Sequence, residues 1–456
     1  MEEIMRDLLL KYDAPVPRYT SYPTAPHFKD APAQPDLAAR LHAIPEEKSV
    51  SLYIHIPFCR HLCSYCGCHT KVVNEEKPIS AYLDVVREEI KLTARAIGRR
   101  QRVSHIHFGG GTPNFAPTKD LEALLVLIAK EFTLAEQPVV AMEMDPRILH
   151  KDKVQSLVKL GVNRASLGVQ DFHADVQQAI NRVQPYEFVQ QCVGWLREAG
   201  VRSINFDMIY GLPLQTSEKI HDGMKMLQTL KPERVALFGY AHVPWFKEHQ
   251  KKLEAHPLPG TLERFDMAET ARADLIAQGY VPVGIDHFAL TEDDLAVAYK
   301  EHRLRRNFQG YTTDMEDYLI GFGQTAISDY GNAYVQNTAM NRDYREKVEN
   351  GAFPAIKACI LSAEDIYRRA VISEVMCYGS VDLAAVSGGA DWAEKTWASA
   401  QKALQGYAAD GLVNLGDKKT EITETGRPLT RLVASAFDAY LKPSGAAEAP
   451  RHAQAV

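Results

Sequence analysis

Hydrophobic and polar positions between residues 48 and 240 follow two alternating rhythms. Six short β-branched or apolar runs read as strands: SLYIHI (51–56), RVSHIHF (102–108), VVAMEM (139–144), NRASLGV (163–169), RSINFDMI (202–209) and RVALFGY (234–240). Amphipathic stretches between them read as helices, among them LEALLVLIAKEF (121–132), KVQSLVKLGV (153–162) and FVQQCVGWLREAG (188–200). In the second, Val154, Leu157, Val158 and Val162 share one face at helical spacing. Gly200 suits the left-handed position that closes the third. Six strand–helix units in series predict an α/β fold with a parallel sheet covered by helices. Right-handed crossovers then give a doubly wound sheet or a barrel, complete or partial.

The rhythm stops on both flanks. Residues 1–35, with APVPRYTSYPTAPHF, read as an irregular, extended arm, because Pro lacks a donor and turns its predecessor away from helix. The arm is either a surface tail or a strap over a site, with Arg18, Tyr19 and Tyr22 as its binding groups. A barrel with its Gly- and aromatic-rich extension is expected over 36–345, and a mostly helical domain over 346–456. In that domain Ser362 is a plausible N-cap before AEDIYRRAVISEVM. A helix near 391–406, a hairpin over 411–425 and a helix at 427–441 follow, a winged-helix-like order. The last residues, PSGAAEAPRHAQAV, read as disordered.

Composition changes this picture little. The chain has 456 residues, 46% hydrophobic and 24% charged, an ordinary globular balance. Its net charge of -6 lacks the basic excess of a general nucleic-acid binder. No apolar run is long enough to span a membrane, and the N-terminus carries early acids without a signal pattern, so a cytoplasmic protein is expected. A monomer is the default, since no heptad seam is apparent.

The seven cysteines are more informative, because four crowd into PFCRHLCSYCGCHT after the first strand. Cys59, Cys63 and Cys66 are spaced so that three thiolates converge within one loop. Three thiolates hold three irons of a four-iron cluster, and the fourth iron is left able to chelate a further molecule. Structural zinc, with Cys68 or a histidine as fourth ligand, is the alternative, although zinc usually takes two couples separated by a longer stretch. Cys68 reads as a neighbour of the cluster, and Cys192, Cys359 and Cys377 as packing residues.

Ligands of parallel α/β folds bind at the carboxyl ends of the strands. Those ends carry Gly109–Gly110–Gly111–Thr112–Pro113, then Glu143 and Asp145, then Gln170 and Asp171 with Arg182 shortly after, then Asp207, then Tyr240–Ala241–His242. Each alone is compatible with a turn. Together they place polar or glycine endings around one rim.

With Tyr65 before the third cysteine, the loop resembles the radical S-adenosylmethionine signature, and GGGTP (109–113) resembles that superfamily's methionine-binding motif. PRYTSYPT (17–24), YIHIPFC (53–59), GVQDF (168–172), YGLP (210–213), YAHVP (240–244), DHFA (286–289) and RNFQGYTT (306–313) resemble the bacterial oxygen-independent coproporphyrinogen III oxidases over about residues 12–440. The resemblance implies a partial (β/α)6 radical-SAM barrel, an N-terminal strap and a mostly helical, winged-helix-like C-terminal domain. It implies decarboxylation of two propionates of coproporphyrinogen III to vinyls, giving protoporphyrinogen IX.

By motif position it implies one 4Fe-4S cluster on Cys59, Cys63 and Cys66, and two S-adenosylmethionine molecules. Tyr53, Gly110 and Glu143 would contact the first. Tyr65, Gly111, Thr112, Gln170, Arg182, Asp207, Ala241 and Ile327 would contact the second. Tyr53, His55 and Gln309 would lie at the reacting centre. Partners would be an electron donor such as flavodoxin or ferredoxin and an unidentified electron acceptor. The substrate's four carboxylates call for cations, for which Arg18, Arg303, Arg305 and Arg306 are the candidates. A haem-binding chaperone of the same superfamily and a zinc-containing DNA-binding protein are the competing readings. The strap argues against the first, and the acidic charge and barrel pattern against the second.

Overall fold

The computed structural model describes residues 2–441. Six parallel strands form its centre: β1 (Ser49–Ile56), β2 (Arg102–Gly110), β3 (Thr133–Met144), β4 (Arg164–Gln170), β5 (Ser203–Tyr210) and β6 (Arg234–Gly239). They pair side by side in chain order. Helices between them, such as Lys77–Ile97, Thr118–Glu131, Lys151–Lys159, Tyr186–Glu198 and Ser217–Leu230, complete the crossovers. Gly200 takes a left-handed φ of 98° past the fourth of these, as its position suggested.

The sheet is longer than the six-strand reading. Leu319–Phe322 pairs parallel to β1, from within the segment read as an extension. Its run Leu-Ile-Gly-Phe is too short to show a period, but three of the four residues are buried. Ile327–Asp329, Ala333–Asn337, Ala355–Ile360 and Lys29–Asp30 continue antiparallel from it. At the other edge His287–Leu290 and Tyr280–Val283 add to β6 antiparallel. The thirteen strands run from Lys29–Asp30 to Tyr280–Val283 without closing, so the barrel is partial.

Strand alternation sorts the central side chains onto two faces. Val50, Leu52, Ile54 and Ile56 of β1, with Ile106 and Phe108 of β2 and Phe206 of β5, join the core under the helices. The intervening residues face inward: Tyr53 stands beside His107, Glu143 beside Ser166, and Asp207 beside Ala236. One buried acid sits outside that inner wall. Glu89 accepts from Gly323 N at 2.8 Å, Asn337 Nδ2 at 2.7 Å and Tyr344 Oη at 2.5 Å, tying helix Lys77–Ile97 to the added strands.

The division expected at 345/346 falls inside helix Asn341–Glu349, and the main sheet continues through Ile360. A helical unit begins at Ser362, whose hydroxyl and Asp365 form a capping box at the start of Ala363–Tyr378. Helix Gly389–Ala409 and a three-stranded antiparallel sheet (Ser380–Asp382, Val413–Leu415, Lys419–Ile422) complete it. The helix read over 427–441 is instead a 3-10 turn, Arg427–Leu429, and a short helix, Thr430–Ser435. Past its end Phe437 N and Asp438 N bond to Ala434 O and Ser435 O in tight turns, and the Asp438 carboxylate then accepts from the backbone of Tyr440 at 2.7 Å and Leu441 at 3.2 Å. The tail read as disordered lies outside the described residues.

The N-terminal arm is not irregular throughout. Glu2–Tyr12 is helical, and Leu8, Leu9, Val16, Tyr19 and Tyr22 share a core with Val371, Val375 and Phe437 of the C-terminal unit. The residues after this helix form a strap held between sheet and C-terminal unit.

Candidate active site

The cysteine loop leaves the carboxyl end of β1 and is held by its neighbours' side chains. Gln250 Nε2 donates to Tyr65 O, His249 Nε2 to Cys66 O and Lys247 Nζ to Cys68 O, each at 2.8 Å. Asn181 Nδ2 donates to Leu62 O at 2.8 Å. Cys63 is buried, Cys59 and Cys66 are half-buried, and Cys68 is exposed. Burial first, then the nearby Cys66 and Cys63, push the Cys59 thiol up to about 12, although Thr112 Oγ1 donates to it at 3.3 Å. The Cys66 thiol is pulled down to about 6 by its hydrogen bond with Cys68.

Two guanidinium groups face Cys63. Arg182 Nη1 lies 3.4 Å and Arg147 Nη2 3.6 Å from its Sγ. Both also hold Asp145 Oδ2, at 3.3 Å and 2.6 Å. Burial acts to raise the Asp145 pKa, but the two arginines hold it below the usual carboxylate value. Two fixed positive groups therefore point at the Cys63 sulfur. Among the described residues no three His, Cys, Asp or Glu side chains converge on a point suited to a single ion. A four-iron cluster takes each thiolate on a different iron, and the loop's three cysteines with their facing cations fit it.

The glycine run seals this loop against β2. A Cβ at Gly111 would stand 2.8 Å from Phe58 O, so the backbone of the run lies directly against the loop. A Cβ at Gly110, where φ is +116°, would stand 2.7 Å from the His55 ring. Gly110 N donates to Glu143 Oε2 at 3.1 Å, and His107 Nε2 donates to Oε1 at 3.3 Å. Burial acts to raise the Glu143 pKa, but these donors hold it below the usual value. An ionised carboxylate thus stands beneath the glycine turn.

Tyr53 and His55 form a pair on the inner face of β1. His55 Nε2 donates to His69 O at 3.3 Å, which leaves Nδ1 to accept from Tyr53 Oη at 3.0 Å. Burial pushes the imidazole down to about 4, so it is neutral near pH 7. Asp207 accepts from Ser166 Oγ at 2.9 Å and Asn205 Nδ2 at 2.8 Å, and burial lifts it to about 6. Gln170 ends β4 at φ +70°, and its amide and the Arg182 guanidinium fill the space that a side chain at Gly168 would occupy. Tyr65 is packed with Val176, Ile180 and Leu212.

Two cavities adjoin these groups. The inner one, about 310 Å³, is lined by His107, Glu143, Ser166, Asp207 and Gln309, the last on the turn of the ribbon Arg305–Asn307/Gly310–Thr312. The outer one, about 490 Å³, is lined by Arg18, Ala241, Arg264, Asp286 and Arg431. Phe238 and His287 line both. Ile327 stands apart: its side chain packs with Phe28, Tyr334 and Leu361.

The four candidate cations lie in different settings. Arg303 pairs with Glu301, and Arg305 with Asp317 at 3.1 Å, both in exposed positions. Arg306 is buried, 3.6 Å from Asp286 and 4.4 Å from the Tyr311 ring centre. Of the four arginines proposed, Arg18 alone lines the outer cavity. The sequence reading missed Arg147, His107, Arg264 and Arg431. Arg147 and His107 carried a local signal, being two residues past Asp145 and in phase with the inward side of β2. Arg264 and Arg431 carried none, since each belongs to a distant helix.

A partial parallel barrel with a three-cysteine loop after its first strand and a glycine turn after its second defines the radical SAM class. Residues 53–227 match the model of the Radical SAM superfamily. The relatives narrow the class. The chain is 42% identical over 438 residues to the oxygen-independent coproporphyrinogen III oxidase of Bradyrhizobium diazoefficiens, covering 96% of this chain and 97% of that protein. It is 37% identical to the same enzyme of Paracoccus denitrificans, covering 94% and 95%. The solved structure of coproporphyrinogen III oxidase (HemN) from Escherichia coli, described as a radical SAM enzyme, superposes with a TM-score of 0.89 at 36% identity, covering 95% and 98%. The chain belongs to the oxygen-independent coproporphyrinogen III oxidases. Membership in the radical SAM superfamily implies a 4Fe-4S cluster and S-adenosylmethionine.

Proposed function

We propose that this chain converts coproporphyrinogen III to protoporphyrinogen IX without oxygen, by oxidative decarboxylation of two propionates to vinyls. The observation that carries the reading is the packing of the three-cysteine loop on the glycine turn, where Thr112 donates to Cys59 and Gly110 N donates to Glu143, an acid that lines the inner cavity. When bound, the cluster and S-adenosylmethionine supply a 5′-deoxyadenosyl radical. A propionate β-C–H bond is beyond acid–base groups, and a primary carbon radical can take its hydrogen. The substrate radical then loses carbon dioxide and passes one electron to an acceptor.

Cys59, Cys63 and Cys66 hold the cluster in this reading. Glu143, ionised and fixed by Gly110 and His107, accepts hydrogen bonds from the amino or ribose groups of the first S-adenosylmethionine, beside Tyr53. Tyr65, Gly111, Thr112, Gln170, Arg182, Asp207, Ala241 and Ile327 are assigned to a second. Of these, Ile327 has the weakest structural support, because its side chain is packed elsewhere. Both ring nitrogens of His55 are engaged, so it orients the Tyr53 hydroxyl. Gln309 closes the inner cavity from the ribbon. The enclosing walls shield the radical from side reactions.

No helix among the described residues is long and apolar enough to cross a membrane. We place the protein in the cytoplasm as a monomer, reduced by flavodoxin or ferredoxin. The test is anaerobic reconstitution with iron and sulfide, then reductant, S-adenosylmethionine, coproporphyrinogen III and a cell extract as acceptor source. Protoporphyrinogen, read by fluorescence after oxidation, is expected from the wild type and not from Cys63→Ala. Stoichiometric haem binding without product, with the cluster intact, would overturn the reading.

A further inference from the structure

The segment DHFA (286–289) has no role in the assignments above. His287 opens the strand His287–Leu290 opposite Ala236 of β6, and Ala236 stands beside Asp207 of β5. Strand pairing thus brings the imidazole level with Asp207, with only the Ala236 methyl group between them on the wall. His287 is buried and lines the inner cavity together with Asp207 and Gln309. Its ring is set edge-on to Phe238, at 5.8 Å and 81°, and to Tyr311, at 5.2 Å and 83°.

Asp286 fixes the chemistry of this ring. Its carboxylate accepts from His287 Nδ1 at 2.7 Å and faces Arg306 at 3.6 Å. Burial acts to raise the Asp286 pKa, but Arg306 first, then His287 and Arg18, hold it well below the usual carboxylate value. An ionised acceptor at Nδ1 keeps a proton there and leaves Nε2 for another partner. Among the described residues no group bonds Nε2. A Cβ at Gly310 would stand 3.2 Å from Nε2, so the turn between Gln309 and Tyr311, both of which line the inner cavity, lies beside that atom without capping it.

The other basic groups of the inner cavity are engaged by acids. Arg164 pairs with Asp294 at 2.5 Å, Arg234 with Asp293 at 2.7 Å, His105 with Asp314 at 3.5 Å and His107 with Glu143 at 3.3 Å. Arg164 and Arg234 also begin β4 and β6, at the end away from the cysteine loop. We propose that His287, oriented by Asp286, binds the carboxylate of the reacting propionate through Nε2. The inference rests on the proposed reaction for its ligand. Binding takes up a proton from solvent at Nε2, and the imidazolium then donates to one carboxylate on each side. That charge offsets the repulsion a propionate meets from Glu143 and Asp207 in the same cavity. At about 310 Å³ the cavity lies at the small end of the range of about 300–1,000 Å³ usual for small-molecule sites, which suits a side chain of the ring and leaves the macrocycle outside.

The test uses the cluster-loaded protein without oxygen. Binding of coproporphyrinogen III, of its tetramethyl ester and of S-adenosylmethionine is read by ultrafiltration, and product by fluorescence after oxidation. His287→Gln places an amide nitrogen at the Nε2 position, whereas His287→Asn places one at the Nδ1 position alone. His287→Asn is expected to weaken coproporphyrinogen III binding at least tenfold and to release more 5′-deoxyadenosine per vinyl group formed. Its binding of the ester and of S-adenosylmethionine should stay within twofold of wild type. His287→Gln is expected to lose less than fivefold. Either variant decides by itself, because a purely structural bond to Asp286 gives the reverse order, with retention in His287→Asn and loss in His287→Gln. That reverse order, an equal loss for the ester, or weakened S-adenosylmethionine binding in place of the porphyrinogen's would overturn the inference while leaving the reaction untouched. The expected binding order without conversion of coproporphyrinogen III would instead overturn the reaction and keep His287 as the carboxylate's partner.

Discussion

Arg182 Nη1 bridges Cys63 Sγ at 3.4 Å and Asp145 Oδ2 at 3.3 Å, and so connects the cysteine loop to the carboxyl end of β3. The same guanidinium donates through Nε at 3.1 Å and Nη2 at 2.6 Å to Gly168 O in β4. One buried side chain therefore positions a loop from one strand over the ends of two others. Its charge is offset by Asp145, which Arg147 also holds, so the three form a compact network with the thiol.

Replacing Arg182 by Met should leave Cys63 and Asp145 short of a partner. Breaking a buried ion pair costs about 3–5 kcal/mol, and Arg147 remains on Asp145, so a loss near about 3 kcal/mol is expected. Urea unfolding of the metal-free protein measures this, and iron content after reconstitution should fall with it. A loss below about 1 kcal/mol would mean that the network holds little of the loop's position.

The two glycines separate two functions. Gly111→Ala presses on Phe58 backbone, which cannot rotate away, so the cysteine loop must shift and iron retention should drop. Gly110→Ala presses on the His55 ring and adds a side chain at a positive φ. That variant should keep its iron better while turnover falls, as Tyr53 and Glu143 lose their setting. Iron analysis beside kcat distinguishes them, and equal iron loss in both would argue against the distinction.

Cys63→Ala and Cys192→Ala should diverge just as clearly. Cys63 faces two arginines in the loop, whereas Cys192 is fully buried in the helical layer 3.7 Å from Pro146 O. Acid-labile sulfide and the cluster's visible absorption should vanish in the first and persist in the second. Persistence in Cys63→Ala would remove it from the ligand set.

Glu89 imposes a pH dependence on stability. Burial raises its pKa from the ordinary carboxylate value to about 7 in the fold, against three hydrogen bonds that favour the ionised form. The folded state binds more protons than the unfolded state between the unfolded value and about 7. Its contribution is therefore present at low pH and is lost as pH rises through about 7. Thermal melts of wild type and Glu89→Gln from pH 5 to 8 should show the wild-type advantage shrinking up to about pH 7 and level above it. A gap constant with pH would contradict this.

Much of the site was legible before the fold was known, because its signals are local. Cys59, Cys63 and Cys66 lie in one loop, the glycine turn follows one strand, and Glu143 and Asp207 hold positions set by a two-residue alternation. The parts that were illegible have different physical causes. Leu319–Phe322 is too short and glycine-broken for its period to show, yet pairing with β1 makes it a strand. The helix read over 427–441 is a 3-10 turn and a short helix that gives way to tight turns at 436–438, a local change of hydrogen-bond spacing that periodicity does not register. Arg303, Arg305 and Arg306 are near neighbours in the sequence, but the ribbon turns the first two outward and the third onto Asp286.

By itself the sequence determined the class of fold, the cysteine loop and the strand-end acids, since hydrophobic period, turn glycines and ligand spacing act over a few residues. Tertiary structure alone decided which cations face the cavity. Arg18, Arg264 and Arg431 come from the strap, a helix beside β6 and the C-terminal unit, and only packing brings them to one wall. Electrostatics depends on distance in space, and the sequence specifies that distance only after the chain has folded.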